Sequence, residues 1–477
     1  MAIDLRTTKR ESVRPTVRAL SLSAEELLQS LLNLDPSRRV SILDSCGARP
    51  PDARFLIAGF DPVEIIESKG DRIRISRPRE GRTEILKGDV LEILDQRLES
   101  LRLAPQPHIP VAGACIASFS YDLARRFNRL RLKKQPPDTS QEPDAVLAFY
   151  DRLVVHDYLL GTTQLISVAA DEESCELSLR AAAGCASQSS PSEDAHASLR
   201  AVSNFTRDEY ISAVDRIKEH IAAGDIYQAN LTQQLSVPLL NEQPENIFLR
   251  LRSENPASFA VFIRRGDDLV ISASPERFLR VRVEQTGRMV EAWPIKGTRP
   301  RGDNPLEDAR LRAELLASEK DRAENIMIVD LLRNDLGRVC RYGSVNVPEL
   351  FTIQEHPTLF HLVSKVEGRL CEEVTAGSLL RATFPCGSIT GAPKLRAMEI
   401  LDEIEPSPRA LSMGAIGYFS FDGKVDLSVA IRTMTVRDGV ARFNVGGGIV
   451  ADSQPLAEYE ESLIKARALL RALNAGL

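Results

Sequence analysis

No uninterrupted apolar run of membrane length occurs in this 477-residue chain, which excludes a membrane-spanning helix. A basic surplus is also missing. Lys and Arg together number 61 against 67 Asp and Glu, for a formal net charge of -6. With no excess cation to neutralise phosphates, the balance argues against a nucleic-acid partner. Basic residues do crowd the first twenty positions ("LRTTKRESVRPTVR"), but no apolar stretch follows them to make a secretion signal. The seven cysteines are odd in number and lack metal-type pairing, a pattern of scattered thiols in a reducing compartment. These absences together imply a cytoplasmic protein. Dinucleotide and P-loop patterns are absent, which lowers the case for nucleotide binding. No short-period internal repeat is visible.

What is present is ordinary for a globular chain: 43% hydrophobic and 27% charged residues. The length suits two or three domains, or one large composite one. In residues 1–170, "SAEELLQSLLNL" opens with a capping box, Ser23 to Glu26, and then shows a helical apolar period. "RVSILDS", "RFLIAGF" and "DRIRIS" predict strands, and "EILKGDVLEILDQRLESL" a helix. "AVLAFYDRLVVHDY" and "TQLISVAA" predict a strand pair around "LLGT". Residues 171–203 are small, polar and aperiodic, as in a linker or mobile excursion. Residues 204–477 begin with a second capping box, Thr206 to Glu209, and a helix ended by Gly224. Strands follow at "IYQANLTQQLSV", "FAVFIRR", "DLVISAS", "RFLRVRVE", "AIGYFSF", "VDLSVAIRTMTV" and "ARFNVGGGIV". Long helices are expected near 306–338, 375–384, 392–403 and 455–474. Many strands with helices grouped between them predict an α+β fold, its sheets packed together and its helices outside.

Three features carry chemistry. In "VEAWPIKGTRPRGDNP", Lys296 stands before the turn pair Gly297-Thr298. It is either a loop lysine reaching water or an amine nucleophile, which must be partly neutral to react. Two helices carry acidic pairs three residues apart, Asp321 with Glu324 and Glu458 with Glu461, and Lys465 lies four beyond Glu461. Each pair is either a solvated ionic face or half of a site for a hard divalent cation such as Mg²⁺. "FPCGSITGAPK" is either a tight turn or a place where hydroxyl and backbone N–H groups meet an anion at a helix N-terminus, and "NVGGGIV" either a tight turn or a place where the backbone approaches a ligand closely.

Together the chain resembles the chorismate-utilising enzymes. That family includes the large subunits of anthranilate and aminodeoxychorismate synthases, with isochorismate and salicylate synthases as relatives. The resemblance rests on "GDIYQANLTQ", "SPERFL", "PIKGTRPRG", "KDRAENIMIVDLLRNDLGRV", "HLVSKVEG", "FPCGSITGAPK", "AIRT", "GGGIV" and "EYEESLIKA", in the family's order across residues 205–470. It implies that Glu324 and Glu461 hold Mg²⁺, with Asp321 and Glu458 beside it or acting through water. It places Gln228, Thr298, His361, Ser388, Thr390, Arg432, Gly446, Gly447, Gly448 and Lys465 around chorismate, and makes Glu276 the general acid. "SILDS" and "NPASF" resemble the family's tryptophan-binding region, with Ser45, Pro256, Ala257 and Ser258 as candidate contacts.

The resemblance also separates branches. Isochorismate and salicylate synthases carry a water-activating lysine where this chain has Gln228. Anthranilate synthases typically have alanine in the slot of Lys296. Lysine there resembles the aminodeoxychorismate synthases, which make 4-amino-4-deoxychorismate for p-aminobenzoate and folate synthesis. This implies a covalent Lys296 intermediate and ammonia delivered by a separate glutamine amidotransferase subunit, since no glutaminase motif is visible in the chain. The competing expectations are an anthranilate synthase large subunit and a non-catalytic scaffold that docks a glutaminase or binds tryptophan.

Overall fold

A computed structural model of the chain describes residues 14–47, 53–127, 130, 142–169, 199–240, 242–355 and 359–477. Two large sheets, each of twelve strands among the described residues, are built from antiparallel pairs. The first runs from Thr16–Leu20 at one edge, through Phe259–Arg264 and Asp268–Ser274, to Val440–Ile449, Gln228–Pro238 and Val202–Ser203. The second runs from Ile295–Pro300 and Leu359–Arg369, through Arg277–Glu284 and Ala114–Phe119, to Arg82–Lys87. The sequence boundary at residue 170 does not divide the sheets. Strands from the first 170 residues extend both of them, so the two regions share one architecture.

Between the sheets lies a core of Ile57, Val155, Val261 and Val270 from one sheet and Ile65, Ile116, Val146 and Ile416 from the other. Strands such as Ala114–Phe119 and Ala145–Tyr150 are buried at every residue. That explains their unbroken apolar composition, since both faces are covered. Helices cover the outer faces. Ala24–Leu32, Pro244–Glu254 and Pro455–Ala472 supply Leu27, Phe248 and Leu469 to the core on the first sheet. Val90–Ser100, Glu319–Gly337 and Ala376–Thr383 supply Leu94, Ile328 and Leu380 to the core on the second. The fold is α+β with helices outside, as expected. No described helix is long and apolar enough to cross a membrane.

Several local expectations are corrected. "AVLAFYDRLVVHDY" is two strands, Ala145–Tyr150 and Arg152–Asp157, which pass from one sheet to the other around Asp151. "EILKGDVLEILDQRLESL" begins as the strand Arg82–Lys87, and its helix starts at Val90, where Asp89 Oδ1 accepts from Leu91 N at 2.9 Å. The long helix expected near 306–338 is two, Pro305–Ala317 and Glu319–Gly337. Ser318 is extended between them and its side chain caps Asp321 N at 3.2 Å, so a capping serine restarts the helix. The glycines of "NVGGGIV" lie within the strand Val440–Ile449, as the strand expected at "ARFNVGGGIV" requires, and not in a tight turn. Of the aperiodic stretch 171–203, residues 171–198 lie outside the described residues, and Leu199–Arg200 and Val202–Ser203 are short strands.

Candidate active site

Lys296 lies on the strand Ile295–Pro300, whose pairing with Leu359–Arg369 slips between Ile295 and Thr298. A bulge of this kind re-aims side chains, and here it frees Lys296 from the ladder's alternation. Gly297 has φ +88°, and a Cβ on it would lie 2.9 Å from both Asp321 Cγ and Leu315 Cδ1. Only glycine lets the bulge and the start of the Glu319–Gly337 helix approach so closely. Lys296 Nζ then donates to the carbonyl oxygen of Ser388 at 3.4 Å.

Glu276 sits in the turn after Asp268–Ser274, fixed by Ser274 Oγ, which accepts from Glu276 N at 3.3 Å. Its carbonyl accepts from Val429 N at 3.0 Å. The side chain is buried, and among the described residues Oε1 has no hydrogen-bond partner. Burial pushes the carboxyl up to about 7, against the opposing pull of a hydrogen bond from Ser388 and the charge of Lys296. Ser388 thus lies beside both groups: its carbonyl accepts from Lys296, and its side chain favours the ionised Glu276 carboxyl.

The loop carrying Ser388 is pinned by residues that the sequence reading missed. Arg409, buried and paired with Glu405 at 2.7 Å, donates to Ile389 O at 3.0 Å and Asn230 O at 2.5 Å. Glu405 in turn accepts from Thr232 N at 2.8 Å and Thr232 Oγ1 at 2.9 Å. One buried ion pair therefore ties the loop to the strand Gln228–Pro238. Thr390 donates to the carbonyls of Cys386 and Gly387 at 3.2 and 3.1 Å, so its hydroxyl shapes the loop. Cys386 Sγ lies 3.3 Å from Ser388 Oγ. A buried Arg in "PSPRA" carries no motif of its own, which is why it went unread.

The glycine run has three different reasons for lacking side chains. A Cβ on Gly446 would lie 1.8 Å from Leu231 O, and one on Gly448 would lie 2.0 Å from Gln228 Nε2. A Cβ on Gly447 would stand 3.2 Å from Glu458 Oε2, 3.4 Å from Lys465 Nζ and 3.8 Å from Glu461 Oε1. These three side chains of the Pro455–Ala472 helix converge over that glycine. Lys465 bonds Gly446 O at 3.0 Å and Glu461 at 2.7 Å, and Ser453 Oγ donates to Glu458 Oε1 at 2.7 Å.

The two acidic pairs lie near enough for Glu324 to feel the charge of Glu458. Burial raises the Glu324 carboxyl; Lys296 and Lys320 oppose that, and the charges of Asp321 and Glu458 add to it. Burial also pushes Glu461 up, but Lys465, then Lys320 and Lys296, outweigh it and hold it below its ordinary value. Asp321 is engaged by Arg299 at 3.3 Å. Among the described residues, no three acidic, imidazole or thiol groups cluster so as to hold a metal ion. An open site of one or two carboxylates completed by water and substrate oxygens suits Mg²⁺. The partly buried Glu324, pressed by like charges, fits that role chemically.

Arg432 is in the left-handed region at φ +49°, and burial alone lowers its guanidinium from the ordinary value. Thr298 Oγ1 and His361 Nδ1 lie 3.0 Å apart across the bulged pair. Gln228 is buried beside Gly448, and among the described residues its Oε1 has no partner. The tryptophan candidates fall elsewhere. Ser45 and Ser258 line an inter-sheet cavity of about 70 Å³ with Asp44, Phe259, Tyr418 and Asp426, whereas Ala257 packs in the neighbouring core and Pro256 is exposed.

The family model for chorismate binding enzymes matches residues 44–471. Aminodeoxychorismate synthase component 1 of Escherichia coli is 39% identical over 439 residues, 91% of this chain and 93% of that protein. Anthranilate synthase component 1 of Thermus thermophilus is 36% identical over 475 residues, 98% of this chain and all of that one. The crystal structure of anthranilate synthase component I from Streptococcus pneumoniae superposes with a TM-score of 0.75 at 31% identity, covering 87% of this chain and 92% of the other. The chain belongs to the chorismate-binding enzymes.

Proposed function

We propose that this enzyme aminates chorismate at ring carbon 4, giving 4-amino-4-deoxychorismate, with ammonia supplied by a separate glutaminase subunit. The observation that carries the reading is the Lys296–Ser388–Glu276 arrangement, in which one serine contacts an amine and a carboxyl raised to about 7. An amination directly at carbon 2, the anthranilate reaction, has no use for that amine. The comparable similarity to anthranilate synthases keeps that reaction as the second reading.

Arg432 and Lys465 supply cationic partners for the two carboxylates of chorismate. Glu324 and Glu461 would hold Mg²⁺, with Asp321 and Glu458 beside them; the cation would clamp the ring carboxylate and draw electron density from the ring. Lys296 attacks carbon 2 while the double bonds shift and the carbon 4 hydroxyl leaves. Glu276 gives its proton to that hydroxyl, which departs as water. Ammonia then bonds to carbon 4, the double bonds shift back, and Lys296 is released as a free amine. The new ammonium returns a proton to Glu276, so charge and atoms balance over the cycle.

Product identification tests the reading. Purified chain with chorismate, Mg²⁺ and ammonium should yield 4-amino-4-deoxychorismate, converted to p-aminobenzoate by an added lyase. Lys296→Ala should abolish the mass adduct on the peptide containing "PIKGT" and slow this product steeply. Anthranilate as the product would favour the second reading, and no amine product at all would leave only a chorismate-binding role.

A further inference from the structure

An open cavity of about 280 Å³ lies between the two sheets, where the turn joining Phe259–Arg264 to Asp268–Ser274 meets the turn joining Glu64–Lys69 to Arg72–Arg77. It is separate from the cavity lined by Ser45 and Ser258, which sits at the opposite end of the strand Phe259–Arg264. The catalytic groups are remote as well. Arg437 lines the cavity from one end of Thr433–Arg437, and Arg432 adjoins the other end. A strand of that length spans about 17 Å.

The charged lining is lopsided. It holds five cations, Lys69, Arg72, Arg74, Arg265 and Arg437. Arg265 is satisfied, since its Nε and Nη2 donate to Asp268 at 2.7 and 2.8 Å, and Arg74 pairs with Glu67 at 2.8 Å. Asp267 is the one acid of the lining left for Lys69, Arg72 and Arg437. Just outside, Lys69 has Asp144 at 3.4 Å, and Arg437 has the exposed Asp438 at 3.7 Å. Among the described residues Arg72 has no ion pair, and opposite it in the ladder stands another cation, Lys87, which turns to Asp71 at 3.3 Å. Nor do these arginines face open solvent by default. Ile73 and Ile75 of the same strand pack into the core on the outer face of the second sheet, so Arg72 and Arg74 point to the inter-sheet side.

Cations gathered in a recess focus a positive potential, which an anion held among them relieves. Arg72 comes from one sheet and Arg437 from the other, so the ligand must offer acceptor oxygens in opposite directions. A carboxylate is planar and offers two oxygens on one edge. A phosphate is tetrahedral and can meet guanidinium forks from both sides at once. The cavity is also several times the roughly 30 Å³ share of a water molecule, which leaves room for an organic portion. We propose that this cavity is a binding site for a phosphate group carried by a small molecule, clamped between Arg72 on one sheet and Arg437 on the other.

Calorimetric titration of the full chain with inorganic phosphate, at constant ionic strength, tests this. The parent should bind phosphate saturably, and chorismate should not displace it. Arg72→Glu and Arg437→Gln should each weaken that binding about tenfold or more, with turnover in phosphate-free buffer unchanged. Malonate, a planar dicarboxylate of comparable charge, should bind the parent about tenfold more weakly than phosphate. No saturable binding by the parent, displacement by chorismate, or unchanged affinity in both variants overturns the site. A loss confined to one variant overturns the clamp between sheets, and malonate binding as tightly as phosphate overturns the choice of ligand. If Arg437→Gln does not fold, the exposed Arg72→Glu decides alone.

Discussion

Replacing Glu276 by Gln should make the protein more stable in alkali and nearly inactive. The carboxyl is buried, and its pKa rises from 4.5 to about 7. Its proton is therefore bound more tightly in the folded chain than in the unfolded one. The stabilisation is fully present below 4.5 and is lost as pH rises through about 7. At about 1.4 kcal/mol per tenfold change in proton affinity, the whole effect is roughly 3 kcal/mol. About 2 kcal/mol of it falls between pH 5.5 and 8.5, a window that is easy to measure. Glutamine keeps the shape and cannot ionise, so the stability advantage of Glu276→Gln over the parent should grow by that amount across the window. Urea unfolding at the two pH values reads it directly. Turnover should fall by about 10²–10⁴ because the leaving hydroxyl loses its proton donor. In the parent, activity should decline as pH rises past about 7, where the acid is spent. Lys296→Ala removes a charge that favours the ionised form, so the stability window should move to higher pH. A stability difference that stays flat with pH, or a Glu276→Gln chain that turns over normally, would refute the reasoning.

Glu461→Gln should keep the fold and lose Mg²⁺-supported turnover; unchanged activity in limiting Mg²⁺ would remove Glu461 from the metal site. The purified chain should work with high ammonium and fail with glutamine, and glutamine use without a partner would exclude the need for a separate glutaminase. Gly446→Ala places a Cβ 1.8 Å from Leu231 O, so the strand must shift. About 1–3 kcal/mol of stability should go in a denaturant titration, together with activity. Arg409→Met strands the buried Glu405 charge and frees the Ser388 loop, so a loss of about 3–5 kcal/mol is expected by the same titration.

Much of the fold and the site was legible in the chain. Capping boxes at Ser23 and Thr206 start helices where the sequence puts them, because both partners lie within four residues. The motif order pointed to the family, and the paired carboxylates on two helices announced themselves by their spacing of three. The limits are equally physical. Whether "EILK" is strand or helix depends on the neighbouring strand Arg72–Arg77, which no local period encodes. Asp151 sends its two flanking strands to different sheets, a choice made by the core between them. Tertiary structure alone decided that Glu324 feels Glu458, that the Gly297 bulge turns Lys296 toward Ser388, and that Arg409 pins that loop from 179 residues beyond Asn230. Side-chain identities are written in the sequence. Their charges come from burial by residues far away along the chain.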